Sequence, residues 1–193
     1  SINAFLLVFS DYGYNLKAIT NIDSSDLDKI NFRFNLILRV KLILLLFSFI
    51  LGFIFSFLTM KSEIHLFFII FFGTVFSTLN IEWLLNLKNK LTHFVLTNFI
   101  LRCLGVIMLF VFLDAKEDYW IVPLINSVIS FFFFSVMFIY SFKIIKIKFT
   151  RVTTNNLLLE FKSGFDYFSS NIIITLYNSG ILILGNFVDE SIL

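Results

Sequence analysis

The sequence predicts an all-α fold, a polytopic transmembrane helical bundle, and three observations indicate it. First, 59% of the 193 residues are hydrophobic and only 15% are charged, whereas a soluble domain carries about 25% charged residues. Second, separate apolar runs each approach the roughly 20 residues that a helix needs to cross a bilayer. Third, the loops between these runs are alternately basic and nearly charge-balanced. A chain of this composition cannot hide its apolar surface in one soluble core.

The apolar runs divide the chain into predicted membrane spans. The first run is too short to span, the chain has no initiator Met, and it stops soon after another apolar run. We therefore expect a fragment of a longer membrane protein, forming a single membrane domain over 1–193. The predicted spans are 1–10 (truncated), 42–60, 64–83, 94–113, 119–142 and 166–188.

An amphipathic helix is predicted at about 26–40, just before the second of these spans. Ser25 and Asp28 have the spacing of a capping box at its start. Apolar side chains recur on one helical face, with charged side chains off that face. We expect this helix to lie on the membrane surface. The apolar face consists of Leu27, Ile30, Phe34, Ile37 and Leu38.

Basic residues are concentrated in alternate loops, which predicts the orientation of the bundle. The intervening turns carry only Lys61 and Lys116, each beside carboxylates. By the positive-inside rule, the basic loops face the cytoplasm and the acidic turn at 114–118 faces outward. The basic set is Lys17, Lys29, Arg33, Arg39, Lys41, Lys88, Lys90, Lys143, Lys146, Lys148 and Arg151.

The sharpest candidate site residue is Arg102, close to the middle of the span 94–113. A guanidinium at that depth costs ~2.5–3.5 kcal/mol on insertion scales, and arginine stays protonated. It must therefore face protein, water or a bound anion, and it could bind a phosphate in bidentate fashion. The alternative is a permanent ion pair with a carboxylate of another helix. We favour the binding role because no carboxylate in the sequence clearly shares the depth of Arg102.

Hydroxyl and amide side chains recur on one face of several spans, where they could line a hydrated cavity suited to sugars. Small polar residues also hold membrane helices together at close approach, which is the commoner role for any one of them. The candidates for substrate binding besides Arg102 are Thr74, Ser77, Asn126, Ser127, Ser130, Asp166 and Asn171.

The remaining charged residues near the ends of the spans have two possible roles. Each could be a proton site or an ion ligand, or an interfacial charge that reaches water. For Asp166 the two readings are balanced, and for Glu82, Glu160 and Lys162 we favour the interfacial charge.

Several functional classes are not indicated. The single Cys103 excludes a disulfide framework and is expected to pack as a small apolar residue inside its span. His65 and His93 lie in different segments without a Cys/His cluster, so we predict no metal site. No nucleophile elbow or phosphate loop occurs. We therefore expect no enzyme activity, no cofactor and no nucleic-acid partner.

Three stretches resemble the Wzx-type polysaccharide flippases of bacteria. Residues 11–16, Asp-Tyr-Gly-Tyr-Asn-Leu, are similar to the end of the family's second transmembrane helix. The stretch 81–90 resembles the family's Pro-x-Trp-aromatic-aromatic-Gln-Gly segment followed by Lys, with Ile81, Asn86 and Leu87 in place of the Pro, Gln and Gly. The stretch 164–185 resembles the opening of the seventh helix, with Asp166 where a Pro is usual.

The resemblance implies part of the amino-terminal lobe of a two-lobed transporter in the multidrug/oligosaccharidyl-lipid/polysaccharide superfamily. The implied function is flipping of a polyprenyl-pyrophosphate-linked oligosaccharide repeat unit across the bacterial inner membrane during O-antigen or capsule synthesis. The implied partners are this lipid-linked oligosaccharide, the lipid bilayer, and a polysaccharide polymerase and chain-length regulator. A cationic, hydrated cavity with alternating access suits such a cargo. The alternatives are a cation-coupled drug exporter of the same superfamily and a membrane glycan polymerase.

Overall fold

The computed structural model describes residues 2–11, 26–59, 64–113 and 116–192. Within these ranges the chain forms α-helices, a short 3₁₀ helix at Lys116–Trp120 and a π-helical turn at Ser141–Ile145, with no β-strand. The predicted all-α fold is therefore confirmed. The α-helices are α1 (Ile2–Asp11), α2 (Leu27–Thr59), α3 (Ile64–Thr78), α4 (Glu82–Leu87), α5 (Leu91–Phe112), α6 (Ile121–Tyr140) and α7 (Thr154–Ile192).

Four helical stretches of the described chain are long and apolar enough to cross a membrane, namely Leu27–Leu58, Ile64–Leu87, Leu91–Phe112 and Asp118–Ile145. They contain the predicted spans from 42–60 through 119–142 except for Thr59, Leu113 and Met60, and Met60 lies outside the described residues. The protein is thus a multi-pass membrane protein. The predicted span 166–188 lies within α7, whose side chains are described only in its first part.

Helix α2 is one continuous helix of 33 residues, and the predicted amphipathic segment forms its first half. Asp26 caps it, because its Oδ1 accepts a hydrogen bond of 3.1 Å from the backbone N–H of Lys29. That N–H, together with the Lys29 ammonium, lowers the pKa of the exposed Asp26 carboxyl. Ser25, the predicted cap, lies outside the described residues.

The apolar face of this first half of α2 packs against protein. Ile30, Phe34 and Ile37 are buried in one cluster with Trp83 of α4 and Ile147, which lies in the extended segment after the π-helical turn. The face that was expected at the membrane surface therefore contacts α4 and this segment. Sequence periodicity locates an apolar face, but both lipid and distant protein segments can cover it.

Helix α6 is the centre of the membrane-spanning part, with α3 and α5 packed on it. Aromatic rings fill the contact between α3 and α6, where Phe76 meets Phe131 at 5.0 Å and Phe134 at 5.6 Å between ring centroids. Rings also join α2 to α3, with Phe49 at 5.0 Å from Phe71. Such contacts matter because lipid tails are as apolar as the side chains, so helices associate through close packing rather than the hydrophobic effect.

Glycine allows α3 and α6 to approach each other closely. A Cβ atom added at Gly73 would lie 2.5 Å from Ser127 Oγ and 3.1 Å from Ser127 Cα. The Ser127 hydroxyl uses this approach to donate a hydrogen bond of 2.7 Å to the backbone carbonyl of Ile69. The two helices that form opposite walls of the site described below are therefore fixed by a glycine–serine contact.

Two partly buried ion pairs between described residues join helices at the basic end of the bundle. Lys41 is 2% exposed, and its Nζ lies 2.8 Å from Asp11 Oδ1 and donates to the Thr78 carbonyl at 2.7 Å, joining α2 to α1 and α3. Arg33 Nη1 lies 2.6 Å from Glu160 Oε2, joining α2 to α7. The Glu160 side chain is only 7% exposed. The prediction that Glu160 reaches water is therefore wrong, because Arg33 supplies a buried partner.

Candidate functional site

A polar cavity of about 710 Å³ lies between α3, α5 and α6. Its polar lining includes five of the eight residues that the sequence analysis proposed for binding, and three further polar residues that it did not propose. The first five are Arg102, Ser77, Asn126, Ser127 and Ser130, and the further three are Asn80, Glu82 and Asn98.

Arg102 lies roughly 15 Å from either end of the 22-residue helix α5, at 1.5 Å per residue. Its Nε donates a hydrogen bond of 3.1 Å to Asn98 Oδ1, one turn earlier on the same helix. Among the described residues, Arg102 forms no ion pair with a carboxylate. Its two terminal nitrogens, which form the fork that binds carboxylate or phosphate, are therefore available in the cavity.

The hydroxyl groups form a short chain across the cavity wall. Ser77 of α3 and Ser130 of α6 are hydrogen-bonded through their hydroxyl oxygens at 3.2 Å. Ser130 in turn donates to the backbone carbonyl of Asn126 at 2.9 Å, and the Asn126 amide donates to the Val122 carbonyl at 3.1 Å. These bonds leave the Asn126 side-chain oxygen and one of its N–H groups without a partner among the described residues. Asn126 can therefore both donate to and accept from a hydroxylated ligand.

The break between α3 and α4 places a carboxylate in the same cavity. The Asn80 side-chain oxygen accepts a hydrogen bond of 3.1 Å from the backbone N–H of Glu82, where α4 begins. Glu82 is half-buried and lines the cavity, whereas we expected it to be an interfacial charge. The cavity thus holds one cation and one carboxylate that are not paired with each other.

Three of the proposed binding residues lie elsewhere. Thr74 is fully buried, and its hydroxyl donates to the Ile70 carbonyl at 2.9 Å within its own helix. Asp166 is exposed in a separate groove of α7, beside Phe161, Lys162 and Phe165. Asn171, also on α7, is half-buried and does not line the cavity.

Two sequence signals could have found the missed residues. Asn98 precedes Arg102 by four positions, the spacing at which helix side chains meet. Asn80 and Glu82 flank an interruption in an apolar run, and interrupted helices commonly supply polar groups to transport sites. Cys103, expected to pack, is instead exposed on α5. The described residues contain no group of His, Cys, Asp and Glu arranged to hold a metal ion.

The fold and this cavity define a multi-pass helical membrane protein with a partly polar cavity between three of its spans. Comparison with known protein families, with curated proteins and with solved structures finds no match to the chain. The particular function is therefore argued below from the residues themselves.

Proposed function

We propose that this chain is part of a flippase that moves a polyprenyl-pyrophosphate-linked oligosaccharide across the bacterial inner membrane during surface polysaccharide synthesis. The observation that carries the proposal is Arg102, a mid-span guanidinium with no ion-pair partner in the described chain. A permanent cation at this depth is costly unless it meets an anion or water. The pyrophosphate of such a cargo supplies an anion at membrane depth.

The rest of the cavity suits the glycan. Asn126, Ser130 and Ser77 provide donors and acceptors on the walls that face Arg102. Sugar hydroxyls need such neutral groups, since they bind by hydrogen bonds rather than by charge. A volume of about 710 Å³ falls in the range of ligand-binding cavities, about 300–1,000 Å³. No nucleophile is required, because the cargo changes sides without any covalent step.

Complementation tests this proposal. The full-length gene is expressed in a bacterium that lacks its own flippase, and surface polysaccharide is measured with protein levels matched by blotting. We expect Arg102→Ala to abolish export and Arg102→Lys to restore it partly, because a lysine supplies the charge without the bidentate fork. Lys162→Ala is the control, since it removes a cation at an exposed position of α7 that lies outside the cavity.

Two results would overturn the proposal. If Arg102→Ala exports as well as the wild type, the mid-span cation has no part in transport. If the wild-type gene never restores export in hosts with different glycans, the protein is not a flippase of this class. Lys162→Ala must export normally for the loss in Arg102→Ala to be assigned to the cavity.

A cation-coupled drug exporter is the second candidate, and Glu82 in the cavity favours it. A half-buried carboxylate can bind a proton or a cationic drug. Drug-resistance assays with the full-length gene separate the two candidates. An exporter confers resistance that Glu82→Gln removes, whereas a flippase confers none.

A further inference from the structure

Segment 146–152, between the π-helical turn and α7, carries three exposed cations within six residues. We call this segment the strap. Ile147 and Val152 of the strap are buried, while Lys146, Lys148 and Arg151 are exposed.

The strap is held on α2 by hydrogen bonds to its backbone rather than by ion pairs of its charged side chains. The backbone N–H of Lys148 donates to Asn31 Oδ1 at 2.9 Å, and the Lys148 carbonyl accepts from Asn35 Nδ2 at 2.9 Å. Arg39 donates to the Val152 carbonyl at 2.9 Å. Asn31 and Asn35 are themselves buried. Their amides thus fix the register of the strap on α2.

The cations of the strap have no counter-charge among the residues that the structure describes. No ion pair of Lys146, Lys148 or Arg151 occurs among the described residues, whereas the neighbouring Arg33 is paired with buried Glu160. All three residues are exposed, and the segment that carries them is hydrogen-bonded to α2 at Lys148. Such an arrangement suits an anionic ligand that bridges several cations.

Two exposed apolar side chains next to these cations favour a lipid as the ligand. Phe149 of the strap is 65% exposed, and Ile144, in the π-helical turn just before the strap, is 54% exposed. The strap is hydrogen-bonded to the turns of α2 that precede Leu42, where the predicted second span begins. Cations with apolar side chains between them, at the edge of the membrane, match an anionic headgroup and its acyl chains.

We propose that the strap is a binding site for anionic phospholipid, with Lys146, Lys148 and Arg151 on the phosphate and Phe149 and Ile144 against the acyl chains. The proposal is independent of the transported cargo. It predicts a preference for phosphatidylglycerol over phosphatidylcholine that depends on the strap. Each cation near a membrane surface contributes about fivefold in affinity, so the loss of two should weaken binding about 25-fold.

Native mass spectrometry of the full-length protein, with phosphatidylglycerol or phosphatidylcholine added, tests the site. We expect Lys146→Gln/Lys148→Gln to lose the retained phosphatidylglycerol and Lys90→Gln/Lys162→Gln, with the same change of net charge, to keep it. Asn35→Ala should weaken binding with all cations present, because the strap loses one of its backbone bonds. The fluorescence of buried Trp83 reports whether each variant is folded.

Three outcomes would overturn the proposal. In the first, the wild type retains both lipids equally. The Lys90→Gln/Lys162→Gln control could lose phosphatidylglycerol as fully as the strap variant, which would indicate a diffuse charge effect. An excess of inorganic phosphate could displace the lipid completely, which would indicate an anion site without acyl-chain contacts. If Asn35→Ala does not fold, the proposal is tested by comparing Lys146→Gln/Lys148→Gln with Lys90→Gln/Lys162→Gln.

Discussion

At the residue scale, a hydrogen bond to Asn98 restrains the orientation of the Arg102 guanidinium. Asn98 Oδ1 accepts a hydrogen bond from Arg102 Nε and leaves the two terminal nitrogens of the guanidinium for a ligand. A guanidinium that is held at Nε has fewer orientations to lose when it binds a phosphate. Asn98 is thus a positioning residue in the proposed flippase.

Asn98→Ala should reduce polysaccharide export without abolishing it. One hydrogen bond contributes about 0.5–1.5 kcal/mol, or roughly 2- to 10-fold in rate. Export is measured as initial rate in the complementing strain at matched protein level. Thr97→Ala, at the preceding position of α5, is the control and should export normally. An equal loss in both variants would contradict a positioning role.

The hydration of the cavity can be tested with a single thiol. Cys103 is the only cysteine, so Cys103→Ser gives a background free of thiols. Ser130→Cys in that background should react with a membrane-impermeant thiol reagent about tenfold or more faster than Ser135→Cys, because thiolates form in water-accessible surroundings. The two serines are matched, since each donates to the carbonyl four residues earlier on α6 and only Ser130 lines the cavity. Equal rates would mean that the cavity is dry.

At the element scale, the membrane-spanning part of the bundle and its basic end are held together by different kinds of contact. The membrane-spanning helices meet through aromatic rings and small residues, whereas the basic end is fastened by charges. Breaking a buried ion pair by removing one partner costs about 3–5 kcal/mol, because the other charge is left uncompensated. Changes of side-chain volume should therefore destabilise the membrane-spanning part, and changes of charge should destabilise the basic end.

Glu160→Gln should destabilise the protein, since it leaves the half-buried Arg33 without its counter-charge. We expect a loss of about 3–5 kcal/mol in unfolding free energy, measured by tryptophan fluorescence in detergent. The exchange variant Arg33→Glu/Glu160→Arg should recover part of the loss by restoring opposite charges. Asp166→Asn on the same helix is the matched control, because Asp166 is exposed. If the exchange variant is no better than the single one, the pair does not act through its charges.

Gly73→Ala should separate α3 from α6, because its new methyl group would lie 2.5 Å from the Ser127 hydroxyl. Overpacking of this kind costs typically about 1–3 kcal/mol. Gly73→Ala/Ser127→Gly should recover much of the stability, since it removes the clashing side chain. Thermal unfolding of the wild type and the three variants completes a double-mutant cycle. Additive losses would show that the two positions do not touch.

At the scale of the whole molecule, the spans and the mid-span cation were predictable, because hydropathy and a charge within an apolar run are local signals. The rotation of each helix was not predictable. Thr74 and Ser77 differ by about 60° around α3, and this angle separates the buried side chain from the one that lines the cavity. The pairing of Arg33 with Glu160 joins positions 127 residues apart. Only the packing of α7 on α2 brings these positions together.

The orientation of the bundle is a prediction for the whole molecule. A periplasmic reporter enzyme, alkaline phosphatase, should be active when it is fused after Lys116 and inactive when it is fused after Lys90 or Lys148, because the basic loops are expected to remain in the cytoplasm. Fusions of a cytoplasmic fluorescent protein at the same positions should give the reciprocal pattern. The same activity at all three positions would contradict the alternation.

The contact between Lys41 and Asp11 has a consequence for the biogenesis of the protein. Asp11 leaves the ribosome 30 residues ahead of Lys41, so the acid reaches the membrane before its base. Burial removes the Lys41 ammonium from water, which is tolerated only beside a counter-charge. We therefore expect α1 to remain within reach until α2 arrives, so that Lys41 becomes buried only when Asp11 is beside it. In this protein, the order of synthesis is part of what makes a buried charge tolerable.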